Sequence, residues 1–337
     1  MQGLKPYGVH SRLLCPQGSA IAQLAKQQSL TCQAVPYKGE HDLVFSKHIK
    51  KCLKLFQPDL VHVHSRRGAD LYAAWASRFT KVPFLLTRRV VNQESSLLTN
   101  FKFRAYEHIV AVSKAVELVL KKSGVPENKR SIIFDGVDIS NSKRLISRPE
   151  FLREIGLPEN ALVIANVGRF TENKNQFDAI EAFSLMADSV PRAHLVFFGE
   201  GKLQAELEDR VSQRGLEKRV HFAGFKQNLP YWYGGIDILL HTARLEALSV
   251  AILEAAACGI PCVAYANGGI NEVVLHNRTG YLAQNSKIDQ LAKELHRLLR
   301  NSVLREKMGL EARARAEELF SQEKMCSEYY ALYRSLI

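Results

Sequence analysis

The sequence predicts an α/β protein made of two doubly wound domains. Three observations carry this expectation. Short β-type runs recur, each followed by a helical stretch; the runs show little apolar–polar alternation; and the series occurs twice. Strands of that kind, separated by helices, belong to parallel sheets covered on both faces. The 337-residue length agrees with two domains. With 46% apolar and 24% charged residues the composition is that of an ordinary globular chain, which excludes extensive disorder. The longest apolar runs stop after about six residues, far short of the ~20 that a membrane-spanning helix needs. The first residues carry no apolar core of a secretory signal.

In chain order, residues 1–7 read as the tail of a helix, with Gly8 as its C-cap. Strands are expected at 11–15, 60–64, 84–87, 108–112 and 131–134 in the first half. In the second half they are expected at 162–167, 194–198, 220–223, 236–241 and 261–264. Helices at 204–213, 250–258 and 287–300 follow from apolar residues at three- and four-residue spacing. A last amphipathic helix over 321–337 places Met325, Tyr329, Leu332 and Leu336 on one face. The stretch 141–160 is the weakest in pattern, and its short helical piece at 150–155 is ended by Gly156 and Pro158. The expected division is a domain over 1–143, a linker over 144–160, a domain over 161–320, and the terminal helix at 321–337.

A doubly wound domain opens with a strand and a Gly-rich turn into its first helix. Here 11–15 reads as a second strand, so one strand and one phosphate-facing loop are expected to be missing; either Met1 is an internal methionine of a longer product, the favoured reading, or the first domain is incomplete.

The six cysteines are scattered and complete no zinc pattern, so reduced buried thiols are expected. The formal charge of +12 is confined to residues 1–143, which hold 22 Lys/Arg against 10 Asp/Glu; the remainder holds 24 of each. Such asymmetry points to an anionic partner for the first half: a phosphorylated substrate, an acidic membrane surface or nucleic acid. No nucleic-acid recognition fold or interleaved stacking aromatics accompany the charge, which argues against the last.

Three loops concentrate chemistry in the second half. His241 ends a strand, and Glu246 lies in the loop facing the helix that begins near Ser249, with Glu254 over one turn inside it. Ligands of open parallel sheets bind at the carboxyl ends of strands, and a helix N-terminus favours an anion there. A plainer reading makes Glu246 a dipole partner and Glu254 a solvated helix residue. The loop 167–175 brings Arg169 and Lys174 five apart, able to converge on a diphosphate, Arg by forked contacts and Lys as a point charge. Gly199 and Gly201 end the next strand, where glycine permits close approach of backbone to a ligand.

These segments give the chain a strong resemblance, from Gly3 onward, to the retaining GT-B glycosyltransferases of family 4. Its most specific part is Glu246-x7-Glu254, followed by Ala257-x-Gly259-x-Pro261 and Gly268-Gly269-x-x-Glu272. Val167-Gly-Arg-x-x-x-x-Lys174, Gly199-x-Gly201, Pro58-Asp-Leu-Val-His-Val-His64, Ala111-Val-Ser113 and Gly136-Val-Asp138 also fit. The resemblance implies two Rossmann-like domains with parallel sheets facing across a cleft. It implies transfer of a hexose-type sugar from a nucleotide-diphosphate sugar to a cell-envelope glycan or glycolipid, such as a lipopolysaccharide core. Arg169 and Lys174 would hold the diphosphate as it leaves, and Glu246 would contact the transferred sugar. Glu254 would bind the ribose hydroxyls, with the backbone of Ala247, Leu248, Ser249 and Val250 near the phosphates. Gly224, Phe225 and Lys226 would border the base, beside Gly199 and Gly201. The terminal helix would cross back onto the first domain.

No Asp-x-Asp pair occurs, so neither a metal nor another cofactor is expected; cations and a helix N-terminus are the alternative for the growing negative charge. Where the family commonly has His after the Thr of its Pro-x-x-x-Thr strand, this chain has Thr87-Arg88-Arg89-Val90, a version that resembles envelope-polysaccharide members. Arg88, Arg89 and His64 are therefore expected to meet acceptor or phosphate, although arginine cannot carry the proton that histidine can. His62 and His64 flank Val63 and are expected on opposite faces as core or loop residues.

The basic helix 45–56 either covers a sheet with its outer side solvated or rests on an anionic leaflet. Arg66, Arg67, Lys121 and Lys122 add to its charge. The expected location is cytoplasmic, peripheral on the inner face of the cytoplasmic membrane. Two other readings are a catalytically impaired nucleotide-binding remnant and a basic nucleic-acid-binding protein.

Overall fold

The computed structural model describes residues 1–39, 42–64, 68–93, 101–140 and 145–337. Arg66, Arg67, residues 141–143 and residue 144, the first of the expected linker, lie outside the described residues. The chain divides into two compact units, Met1–Phe134 with Glu323–Ile337, and Asp135–Gln322. The division falls ahead of the expected linker, for a physical reason. Val137 N donates to Phe320 O and Gln322 N to Val137 O (2.9 Å each), stitching residues after Phe134 into the second unit. The helix Arg148–Ile155 also belongs to that unit. Arg148 bonds Asp237 and Ala161 O, and Phe151 is fully buried.

The first unit holds β1 (Leu13–Pro16), α1 (Ala20–Gln27), β2 (Cys32–Val35), α2 (Phe45–Phe56), β3 (Val61–Val63), α3 (Ala69–Ser77), β4 (Phe84–Arg88), β5 (His108–Ala111), α4 (Lys114–Lys122) and β6 (Arg130–Ile132). Its strands form two parallel sheets, β1-β2 and β3-β4-β5-β6. Ser19 and Ser113 cap α1 and α4 by accepting from Ala22 N and Val116 N. Residues 2–7 form a 3-10 helix that Gly8 ends at φ 76°, as its C-cap reading requires. The second strand, Cys32–Val35, has only one fully buried residue, and its weak apolar signal left it out of the sequence reading.

The second unit contains α5 (Arg148–Ile155), β7 (Leu162–Val167), α6 (Gln176–Met186), β8 (Ala193–Phe198), α7 (Gln204–Gln213), β9 (Val220–Gly224), α8 (Leu229–Trp232), β10 (Ile238–His241), α9 (Val250–Ala257), β11 (Cys262–Tyr265), α10 (Ile270–Val273), β12 (Gly280–Ala283), α11 (Ile288–Leu299) and α12 (Ser302–Leu319). Its six parallel strands lie in the order β12-β11-β10-β7-β8-β9. Leu162, Ile164, Leu195, Phe197, Ile238 and Leu240 lie under α6, α7 and α11 in a continuous core. Burying each such side chain contributes ~1.5–3 kcal/mol. The last helix, α13 (Gln322–Leu336), belongs to the first unit from Glu323 onward. It packs Met325, Tyr329, Leu332 and Leu336 on Leu85, Val110 and Ile133, the face that its periodicity predicts.

On neighbouring strands β8 and β9, His194 Nδ1 and His221 Nε2 are 3.1 Å apart, a bond that needs one ring to donate and the other to accept. The accepting nitrogen must be unprotonated, so the pair holds at most one charged ring. Burial, with His221 and Arg219 adding to it, pushes His194 down to about 4, and burial lowers His221 as well. The unfolded chain takes up protons below the ordinary value of 6.5 that folded His194 refuses until near 4, and folded His221 resists in the same direction. Stability accordingly falls as pH drops through that window. Urea midpoints measured from pH 7 to pH 4 should decline in the native chain, and His194→Gln should flatten the decline.

Candidate active site

In the second unit the crossovers run outward in both directions from β7 and β10, so a crevice opens at their carboxyl ends. The loops leaving those strands are locked together there. Asn166 donates to Leu240 O (2.9 Å), Arg244 N to Asn173 O (2.8 Å), Asn173 Nδ2 to Leu245 O (3.0 Å) and the Thr242 hydroxyl to Lys174 O (3.1 Å). This lacing brings two residues 72 apart in sequence into contact: the Lys174 ammonium pairs with Glu246 Oε1. His241 Nε2 reaches the same oxygen at 3.2 Å.

Burial alone would raise the Glu246 carboxyl, but His241 and Lys174 outweigh it and hold the group below its usual range. Burial holds His241 neutral at physiological pH. The cluster is thus an ionised carboxylate between a cation and a neutral imidazole, with Lys174 partly accessible. Arg169 stands exposed on the same loop, and the stem of Lys174 crosses Gly168. Ala247 and Leu248 lead to Ser249, the extended N-cap of α9, so the unpaired N–H groups of its first turn, beginning at Val250, face this crevice.

Glu254, Val250 and Ala257 of α9 and its C-cap Cys258 line a cavity of about 180 Å³ together with Gly136–Asp138 and Pro230. Burial pushes the Glu254 carboxyl up to about 7, and the Tyr233 hydroxyl draws it partly back. Glu254 is therefore not the solvated helix residue of the plainer reading.

The glycines also have a packing role that their spacing does not state. A Cβ on Gly199 would sit 2.1 Å from Gly168 O, and one on Gly201 2.3 Å from Phe170 O. They allow the loop after β8 to lie directly on the loop that carries Arg169. Gly224, at φ 70°, accepts from Gly199 N at 3.0 Å. Phe225 N donates to Glu200 Oε1 at 3.2 Å, the Phe225 ring is exposed, and the Lys226 ammonium stands 4.3 Å over the Trp232 ring.

In the first unit, a second polar cluster occupies the carboxyl ends of β3 and β4. Arg88 is buried and spends its guanidinium on Val90 O and Asn92 O, holding its own loop. Arg89 is exposed and donates to His64 Nδ1 at 2.9 Å. Desolvation by the groups packed round the ring and the Arg89 charge push His64 down to about 3, although the residue reaches the surface. His64, Arg88 and Arg89 line a cavity of about 60 Å³ with Asp70 and Thr87. Contrary to expectation, His62 and His64 share one face, their rings 3.7 Å apart, because residues two apart on a strand point the same way. His62 is bonded by Tyr333 (2.6 Å) and Thr87 (2.7 Å), and Thr87 by Tyr329 (2.8 Å).

Sequence reasoning quoted His241 but gave it no role, and it missed Asn166, Tyr233 and Asn267. Asn267 accepts from Glu246 N (3.1 Å) and donates to Ala243 O (2.7 Å), clamping the loop that presents the carboxylate. The available signal was a polar residue closing an apolar strand at His241, and one directly before the paired glycines at Asn267. Among the described residues no three His, Cys, Asp or Glu side chains converge as a metal set.

Gly268, at φ 46°, would place a Cβ 1.9 Å from Glu246 O. Gly268→Ala should therefore cost about 1–3 kcal/mol and displace Glu246. A lowered urea midpoint and altered backbone-amide NMR shifts around Ala243–Ala247 would register it.

Comparison with known proteins supplies the chemical context. The family model for glycosyl transferases group 1 matches residues 147–315, and that for glycosyltransferase family 4 matches 1–141. N-acetyl-alpha-D-glucosaminyl L-malate synthase of Bacillus anthracis is 30% identical over 185 residues, 55% of this chain and 48% of the relative. This chain thus spans about half the length of that relative. UDP-Gal:alpha-D-GlcNAc-diphosphoundecaprenol alpha-1,3-galactosyltransferase of Escherichia coli is 26% identical over 75% of this chain and 70% of its own. The crystal structure of HepE from Anabaena in complex with UDP superposes with a TM-score of 0.87 at 20% identity, covering 98% of this chain and 93% of that one. The fold is therefore GT-B, and the chain belongs to the group 1 glycosyl transferases of glycosyltransferase family 4.

Proposed function

We propose that the protein transfers a hexose-type sugar from a nucleotide-diphosphate sugar to a cell-envelope glycolipid or polysaccharide, with retention and without a metal. The Lys174–Glu246–His241 cluster at the switch point between β7 and β10 carries this reading. Negative charge grows on a departing diphosphate while the sugar becomes oxocarbenium-like. Arg169, Lys174 and the first-turn N–H groups of α9 are fixed donors for that charge, and fixed donors cost no reorganisation during reaction. Glu246, ionised and braced by two partners, serves the transferred sugar, either through its hydroxyls or by opposing the developing positive charge. Glu254, from its cavity, receives the ribose hydroxyls, and Gly224–Lys226 border the base.

Acceptor binding is assigned to the first unit, which carries a net charge of +13, with 23 Lys/Arg against 10 Asp/Glu, and where Arg89 and His64 lie at the strand ends. The Escherichia coli relative, by its name, acts on a sugar carried by diphosphoundecaprenol, an anionic lipid. A lipid-linked acceptor of that kind, or a phosphorylated lipopolysaccharide core, suits this charge. It also places the protein at the inner face of the cytoplasmic membrane, although no helix among the described residues is long and apolar enough to cross one.

Calorimetric titration with UDP, GDP, ADP and CMP tests the donor site without a known acceptor. One nucleotide should bind selectively, and Lys174→Ala should weaken it by roughly 10–100-fold, the loss of a charge-assisted contact of 1.5–3 kcal/mol. Equal affinity of the variant would remove Lys174 from the site. The pH dependence follows from Glu254. Ribose hydroxyls donate to the ionised carboxylate, which near pH 7 is only partly populated. Nucleotide affinity should therefore rise between pH 6 and pH 8, and Glu254→Gln should bind more weakly and lose the component of the pH dependence that belongs to this group.

A further inference from the structure

The outward side of α2 and α3 carries a surface that neither polar cluster uses. α2 contains no acidic residue and four lysines, Lys47, Lys50, Lys51 and Lys54, while Phe45 and Ile49 bury its inner face. Its outer side is not simply solvated polar surface. Leu43 and Val44 at its start and Leu55 near its end are 73%, 53% and 67% exposed. Next to it, Trp75 of α3 and Phe79, just beyond the end of that helix, face solvent, 52% and 64% exposed. The two helices meet at this point. The Lys50 ammonium stands 3.3 Å from the centre of the Phe79 ring, and the Arg78 guanidinium lies 4.1 Å from that of Phe101. The one acid of α3, Asp70, is buried in an ion pair with Lys102 and adds no negative surface.

Single exposed apolar residues are ordinary, but two large aromatics set among five cations are a distinct chemistry. Aromatic rings with a wet side prefer the membrane–water boundary, and clustered lysines prefer an anionic leaflet. The lysine stems also reach through the boundary and leave their charges among the headgroups.

We propose that this face is a lipid-docking surface: Trp75 and Phe79 enter the boundary between headgroups and acyl chains of an anionic leaflet, while Lys47, Lys51 and Lys54 meet headgroup phosphates. Charge complementarity selects the occupant, since a second copy would set the same lysines against each other. The inference deepens the lipid-linked acceptor reading and takes its biological purpose from it, but the geometry stands on α2 and α3 alone.

The test uses the full chain with vesicles of phosphatidylcholine alone and of phosphatidylcholine mixed with phosphatidylglycerol. Sedimentation should show binding to the mixed vesicles only, with loss at high salt. Tryptophan emission should shift to the blue on binding, and Trp75→Phe should abolish the shift, leaving Trp232 as an unresponsive background. Reversing Lys47, Lys51 and Lys54 to Glu should weaken vesicle binding at least tenfold with UDP affinity unchanged. Equal binding to both vesicle types, no binding to either, or an unshifted emission would overturn the proposal. So would a lipid-independent dimer that buries Trp75. UDP affinity is read separately, so failure of the donor-site reading leaves the vesicle result interpretable.

Discussion

The contact between Lys174 and Glu246 organises the second unit's functional edge. A parallel sheet whose crossovers run outward in both directions must leave a gap at its switch point, and here the gap lies between β7 and β10. The two loops that border it have no regular structure to hold them. They are held by each other, through Asn166, Asn173, Thr242 and Arg244. An ion pair in such a place is costly to desolvate unless every partner is satisfied. His241 and the clamp by Asn267 supply that satisfaction. The result is a charge arrangement fixed before any ligand arrives, which is the condition for electrostatic stabilisation of a departing anion.

The first unit solves a related problem with neutral groups. His62, Thr87, Tyr329 and Tyr333 form a chain of hydrogen bonds at the carboxyl ends of β3 and β4. Burial and the nearby His64 and Arg89 keep the His62 proton affinity far below normal, so the chain stays uncharged. Two of its members come from the final helix, more than 240 residues away in sequence. The terminal segment therefore does more than cover apolar surface. It supplies the hydroxyls that orient the histidine on which His64 stacks.

Glycine placement shows how one pattern serves two ends. In this chain Gly199, Gly201 and Gly268 stand where backbone meets backbone, closer than any Cβ would allow. Close approach between loops is what keeps Arg169 and Glu246 in place. The spacing marked these loops, but a one-dimensional pattern does not say which backbone comes near, so the loop-on-loop contact had to come from the structure.

Much was determined by the sequence itself. Its paired series of short strands and helices, with caps such as Gly8 and Gly156, specified two doubly wound units, and the spacing of Glu246, Glu254, Arg169 and Lys174 marked the loops that matter. Periodicity and local turn chemistry are properties of neighbours along the chain, so they are legible there. The tertiary structure alone decided that the expected linker belongs to the second unit, since that depends on Val137 pairing with Phe320 and Gln322. It also decided that Lys174 bonds Glu246, that Arg88 serves its own loop while Arg89 meets His64, and that Trp75 faces outward. These are contacts, or exposures, between residues far apart in sequence. They depend on which strands are neighbours in a sheet and on what covers each helix, and no local pattern encodes either.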